Sequence, residues 1–119
     1  MIVSKEQLFV EFNQVDWEYP GPGVRRKVMT YTDELMGVYV EFEKGAVGAI
    51  HTHPHLQFTY VRSGEFEVHI GEETKILREG DFYFIPSNVA HGVVAREAGA
   101  LVDVFTPMRE DFVRNLAAK

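Results

Sequence analysis

The chain reads as an all-β domain, a sandwich or barrel, and three observations predict it. Short runs rich in β-forming residues recur along the sequence, glycine and proline punctuate them at regular intervals, and only the C-terminal end carries a convincing helical pattern. At the N-terminus, Ser4-x-x-Gln7 matches a helix capping box, while the following Leu8-Phe9-Val10 equally suits a strand. Tyr19-Pro20-Gly21-Pro22-Gly23 is a loop, and it divides an N-terminal arm, residues 1–22, from a barrel, residues 23–119. The basic run Arg25-Arg26-Lys27 alternates faces and predicts a solvated edge. A second reading turns one arginine inward toward an anionic ligand.

Met36 to Phe42 and Phe58 to Arg62 are strands by composition. Glu65 to Ile70 alternates polar and apolar residues. Gly71-Glu72-Glu73 then turns the chain into Thr74 to Leu77, a hairpin signature. Asp81 to Ile85 follows Gly80, and Gly92 to Ala95 and Ala100 to Phe105 complete the strands. After Pro107, Met108 to Lys119 predicts a short helix that buries Phe112, Leu116 and Val113.

At 119 residues the chain has room for one core and one domain, and it contains no internal repeat. A net charge of −6 opposes a nucleic-acid surface, which needs a basic stripe. No apolar run reaches the length of a membrane span. Met1 to Phe12 is interrupted by Lys5, Glu6 and Glu11 and does not resemble a secretory signal, so the expected location is cytoplasmic. With no cysteine, metal donors are restricted to imidazole, carboxamide and carboxylate.

That restriction gives weight to His51-Thr52-His53-Pro54-His55-Leu56-Gln57, with His91 further on. Residues two apart on a strand share a face, at roughly 6–7 Å between α-carbons, so His51 and His53 reach one ion. Gln57 lies too far along a straight strand, but a bend at Pro54 brings it back to the same point. A lone histidine is more often a surface or satisfied core residue, and His69 reads that way. Asp103 stands out because Leu101-Val102-Asp103-Val104-Phe105 is otherwise an apolar strand. If the face it shares with Phe105 lines the barrel, a carboxylate sits by the metal with the elevated pKa of an acid–base group. The bland reading is a solvent-facing or arginine-paired carboxylate.

Together these residues resemble the two motifs of the cupin superfamily. The first is Gly45, five residues, His51-x-His53, three residues, Gln57, six residues, Gly64. The second is Gly80, five residues, Pro86, then His91. The resemblance implies a double-stranded β-helix, or jelly-roll barrel, with the short C-terminal helix added. Gln57 stands where many cupins have glutamate, Asn88 where glycine is usual, and Ala95 where asparagine is usual.

Gly23 to Lys27, Lys44 to Gly48, His53 to Gln57 and Asp103 to Phe112 further resemble pectin-degradation cupins of the KdgF type, in which glutamine is expected at position 57. This implies a metal-dependent, isomerase-type enzyme that converts 4,5-unsaturated uronic acid monomers, from pectin or alginate, to linear keto forms. One divalent transition metal ion (Ni, Zn, Fe, Mn or Co) would be held by His51, His53, Gln57 and His91. Asp103 would act as general base and then acid, Arg109 would hold the substrate carboxylate, with Arg25 or Arg26 as alternatives, and Phe105 would pack on the sugar. A homodimer is the family-level expectation. Two other readings compete: a different metal-dependent cupin enzyme such as a dioxygenase, and a non-catalytic sugar-binding module.

Overall fold

The computed structural model describes residues 5–117, so Ser4 of the capping box lies outside the described residues, as do the last two residues of the C-terminal segment. Eight antiparallel strands are present: β1 (Glu18–Gly21), β2 (Val24–Thr32), β3 (Leu35–Phe42), β4 (Val47–His51), β5 (Leu56–Ile70), β6 (Glu73–Arg78), β7 (Phe82–Ile85) and β8 (His91–Thr106). Among the described residues, a 3-10 turn spans Phe12–Gln14, and one α-helix, α1 (Glu110–Ala117), follows a cis Thr106–Pro107 bond. The strands run β1-β2-β3-β8-β5-β6, with β4 paired to β8 and β7 paired to β5.

The two long strands, β5 and β8, pair with each other along most of their length and build the barrel. Sequence composition divides each of them in two, because Ser63-Gly64 and Arg96 to Gly99 look like turns. The chain instead bends through irregular pairing at Ser63 to Glu65 without leaving the sheet. Backbones nearly touch at this crossing. A Cβ on Gly64 would stand 2.6 Å from the Ala98 carbonyl oxygen, and one on Gly99 would strike the Ser63 carbonyl. Glycine at both positions is therefore required by space.

The bend also changes which residues face inward. Gln57, Thr59 and Val61 are buried before it, Phe66 and Val68 after it, so the odd-numbered set gives way to the even-numbered one. Phe42, Phe66, Val68, Val93 and Ala95 fill one end of the barrel with apolar side chains, the Phe42 and Phe66 rings meeting edge to face at 5.3 Å. The other end carries the polar cluster described below.

Three local expectations are corrected. Tyr19-Pro20-Gly21 is not loop but most of β1, paired with β2 through Glu18–Arg26 and Gly21–Val24, so only the turn at Pro22-Gly23 separates the two strands. Leu8-Phe9-Val10 forms neither helix nor strand. The arm there is tied to β2 by Glu6 N–H donating to the Tyr31 carbonyl and Thr30 Oγ1 donating to the Gln7 carbonyl. Nor is Arg25-Arg26-Lys27 a solvated edge, because β2 lies between β1 and β3. Lys27 is only 3 % exposed, roofed by the rings of Phe12 and Trp17 and donating to the Phe12 carbonyl at 2.7 Å. The stem packs like an apolar chain while the ammonium finds a carbonyl and two π-faces.

Candidate metal centre and its cavity

His51 ends β4 and pairs directly with His91, the first residue of β8. His53 is not on a strand, contrary to the simple alternation expected for His-x-His; it sits in the loop of residues 52–55. That loop is bound to the turn before β8, with Asn88 N–H donating to the His53 carbonyl at 2.9 Å and Ser87 Oγ donating to the Pro54 carbonyl. Asn88 takes the left-handed backbone conformation (φ 63°), which explains how it replaces glycine there. The bend at Pro54 restarts β5 at Leu56 and places Gln57 beside His53, as the sequence predicts.

One donor atom from each of His51, His53 and His91 lies within 4.8 Å of the others. Each ring is oriented by its second nitrogen. Nδ1–H donates to the Ala49 carbonyl from His51 (2.7 Å), to the His55 carbonyl from His53 (3.1 Å) and to the Val89 carbonyl from His91 (2.8 Å). This assigns the proton to Nδ1 and leaves the Nε2 lone pairs free to face inward, the usual arrangement of ligating histidines. His91 Nε2 is buried without a hydrogen-bond partner. Burial lowers the His53 pKa to about 4, with the Arg109 charge adding to the effect, and burial likewise lowers His91. Both are neutral, and competent to bind a cation, at pH 7.

Gln57 stands beside the three histidines. Its Nε2 donates to Thr59 Oγ1 (3.0 Å) and to Asp103 Oδ1 (3.3 Å), which turns Oε1 toward His53 Nε2 at 3.1 Å. With the His53 proton on Nδ1, both of these atoms are lone-pair acceptors. A cation between them satisfies both. The orphaned His91 nitrogen, the three inward lone pairs and the carboxamide oxygen therefore fit a metal ion, and a neutral donor set of this kind suits a divalent transition metal. His55, in the same loop, packs edge-on against His53 at 5.4 Å and stands outside the group.

The cluster opens into a cavity of about 550 Å³, within the range of small-molecule sites. Asp103, Phe105 and Arg109 all line it. Asp103 is buried, accepts a hydrogen bond from Thr59 Oγ1 at 2.6 Å, and has its pKa raised by burial to about 6 against the pull of that hydrogen bond and of the Arg109 charge. Phe105 is likewise buried, its ring against His53 and Phe112 (both 5.7 Å), so it forms wall. Arg109 lies over the Phe112 ring and gives Nε and Nη2 to Asp111 at 3.1 and 2.9 Å, which leaves Nη1 for a ligand.

Of the two alternative arginines, Arg26 lines this cavity, stacked 3.8 Å over Phe112 and ion-paired to Glu18 at 3.2 Å. Arg25 does not. It points to the outer surface, pairs with Glu41 at 2.6 Å and covers Trp17. His69 is as ordinary as expected, accepting or donating with Thr74 Oγ1 on the neighbouring strand. Thr59, Tyr83, Glu18 and Asp111 were not singled out by sequence. For Thr59 a signal existed, since it sits two residues from Gln57 on the same strand face.

Comparison with known proteins agrees with this geometry. The cupin domain model matches residues 38–105. The chain is 47% identical over 103 residues, 85% of this chain and 94% of its relative, to the pectin degradation protein KdgF of Dickeya dadantii. Among solved structures, an RmlC-like cupin from Shewanella frigidimarina superposes with a TM-score of 0.87 at 41% identity, covering 90% of this chain and 96% of that one. KdgF from Halomonas sp. superposes with a TM-score of 0.84 at 40% identity, covering 87% and 98%. Fold, ligand geometry and sequence identity thus converge: the chain belongs to the cupin family, within the group that contains KdgF.

Proposed function

We propose that this protein is a metal-dependent cupin enzyme of pectin degradation that opens the ring of 4,5-unsaturated uronic acid monomers and ketonises them, an isomerase-type reaction. One observation carries the reading: a buried carboxylate, Asp103, shares the Gln57 carboxamide with the three-histidine cluster and lines the same cavity. His51, His53, Gln57 and His91 would hold one divalent ion. When bound, that ion supplies Lewis acidity toward substrate oxygens, with almost its full charge because all four ligands are neutral.

The chain's own groups account for the proton movements. Asp103 accepts the proton of the anomeric hydroxyl as the C1–ring-oxygen bond breaks, leaving an aldehyde at C1 and an enolate across C4–C5. Asp103 then delivers that same proton to C4 as the enolate oxygen becomes the C5 ketone, so reactant and product are isomers. Such general acid–base assistance is typically worth about 10²–10⁴ in rate. Arg109 Nη1 meets the substrate carboxylate, Arg26 adds a second positive charge to the wall, and Phe105 closes the side next to His53. A monomeric sugar acid as substrate suits a cytoplasmic enzyme.

The test follows the absorbance of the C4–C5 double bond in an unsaturated uronate monomer. The protein should accelerate its loss over the uncatalysed rate, a chelator should abolish the acceleration, and Asp103→Asn should remove most of it. A protein that binds the monomer and releases it unaltered would instead be a sensor module. Oxygen uptake during turnover would mark a dioxygenase.

A homodimer belongs to the same proposal. Phe58, Phe82 and Phe84 are each about half exposed on the outer face of β5 and β7, with Phe58 and Phe82 stacked at 5.4 Å. Clustered exposed aromatics of this kind mark association surfaces. Sedimentation should give twice the chain mass, and Phe82→Glu should return it to one.

A further inference from the structure

We propose that Thr59 is a positioning residue for the reaction, one that fixes which oxygen of Asp103 faces the substrate. The proposal rests on the reading of Asp103 as the acid–base group and deepens it. Thr59 is completely buried in the middle of β5, directly opposite Asp103 on β8 and Tyr83 on β7. Valine would fill the same space on an inner strand face whose next member is Val61, so packing alone does not call for a hydroxyl.

What the hydroxyl does is set by proton counting. A threonine oxygen has one proton to donate and two lone pairs. Its proton goes to Asp103 Oδ1 at 2.6 Å, because a carboxylate can only accept, and its oxygen accepts from Gln57 Nε2 at 3.0 Å. Gln57 Nε2 also reaches Asp103 Oδ1, at 3.3 Å. Two donors thus converge on Oδ1. No protein hydrogen bond reaches Oδ2 among the described residues, which leaves that atom to the cavity that Asp103 lines. Tyr83 backs the arrangement from β7, opposite Thr59, and is held protonated by burial and by the Asp103 charge. The carboxylate is therefore pinned at one oxygen and presented by the other, in a plane that rotation about its last torsion would otherwise blur.

Loss of the Thr59 hydroxyl should release the carboxylate without removing any group that touches substrate or metal. In Thr59→Val we expect kcat to fall about 10- to 100-fold, the scale of a misplaced catalytic group. KM should stay within about twofold, and bound metal should stay above half the wild-type value because Gln57 Nε2 still donates to Asp103 Oδ1, while the thermal midpoint falls by a few degrees through the lost buried hydrogen bonds. Thr59→Ser should recover kcat to within a few-fold. If the valine variant does not fold, Thr59→Ala against Thr59→Ser isolates the hydroxyl at nearly constant volume, and the same kcat gap is expected between them.

Three results would overturn the proposal. One is kcat of the valine variant within twofold of wild type while Asp103→Asn is inactive, which removes Thr59 and leaves the reading of Asp103 standing. The second is equal loss in the serine and valine variants, which makes Thr59 a packing residue. The third is full activity in Asp103→Asn, which removes the reading of Asp103 and this proposal with it.

Discussion

Gln57 Oε1 and His53 Nε2 face each other across 3.1 Å, and with the His53 proton on Nδ1 the two lone pairs fit a shared cation. The carboxamide is held in that sense by its donors to Thr59 and Asp103. Glutamine differs here from the glutamate of many cupins in two respects: it keeps the ligand set neutral, and it brings two N–H protons rather than a second negative charge up to Asp103.

Gln57→Glu should therefore bind metal more tightly and work less well. The new carboxylate lowers the effective charge of the cation and stands beside Asp103, where two like charges cannot both ionise freely. Metal titration and ketonisation rates on the same preparation check this. We expect stronger retention of metal against chelator with at least a tenfold loss in rate.

His91→Ala should lose the ion. His91 supplies the buried, unpartnered nitrogen that closes the cluster from β8. The variant should bind less than a tenth of the wild-type metal under equal loading, and its thermal midpoint should no longer respond to added metal, since ligand-linked stabilisation vanishes with the site.

Arg109→Gln should raise KM while Arg25→Gln leaves it unchanged. Arg109 lines the cavity with Nη1 outside its pair with Asp111, and a charge-assisted hydrogen bond is worth about 1.5–3 kcal/mol, roughly 10- to 100-fold in binding. Arg25 spends its guanidinium on Glu41 at the outer surface. Steady-state kinetics on the two variants separate the inward arginine from the outward one.

Acid should weaken the metal-free fold, and Asp103→Asn should steepen the effect. Burial lowers His53 from 6.5 to about 4, so between those values the unfolded chain binds a proton that the folded one refuses, and stability falls as pH falls. His91 shifts in the same direction. Asp103 opposes them. Raised from 3.8 to about 6, it holds a proton in the folded state that the unfolded carboxylate has released, so its contribution falls as pH rises across that window. Urea midpoints in the presence of chelator at pH 4.5 and 6.5 should show the wild type weaker at the lower pH, and the asparagine variant weaker still relative to its own value at 6.5. A midpoint that rises on acidification would contradict these assignments.

Much of this candidate site was legible in the sequence. His51, His53, Gln57 and His91 stood out as candidate donors because metal ligation restricts residue type and, in a chain without cysteine, leaves few choices, and the fold brings the three imidazoles within 4.8 Å of one another. Asp103 was visible as the one charge in an apolar strand, and the helix after Pro107 as a change of period. Helix α1 does bury Leu116 and pack Phe112 and Val113 against the core.

Strand alternation determines which residues share a face; it does not say which face is inside or which strand lies alongside. Hence the sequence by itself pointed to the candidate donors, many of the strand segments and the inward candidates, because these depend on local chemistry and period; it did not give β1 or β4 and split β5 and β8. Only the tertiary structure decided that Arg26 and not Arg25 enters the cavity, that Lys27 is roofed by aromatic rings, and that the bend at Gly64 exchanges the inward-facing set along β5. The pairing of Thr59 with Asp103 likewise joins residues 44 positions apart, and a contact at that distance exists only once β5 and β8 lie side by side in register.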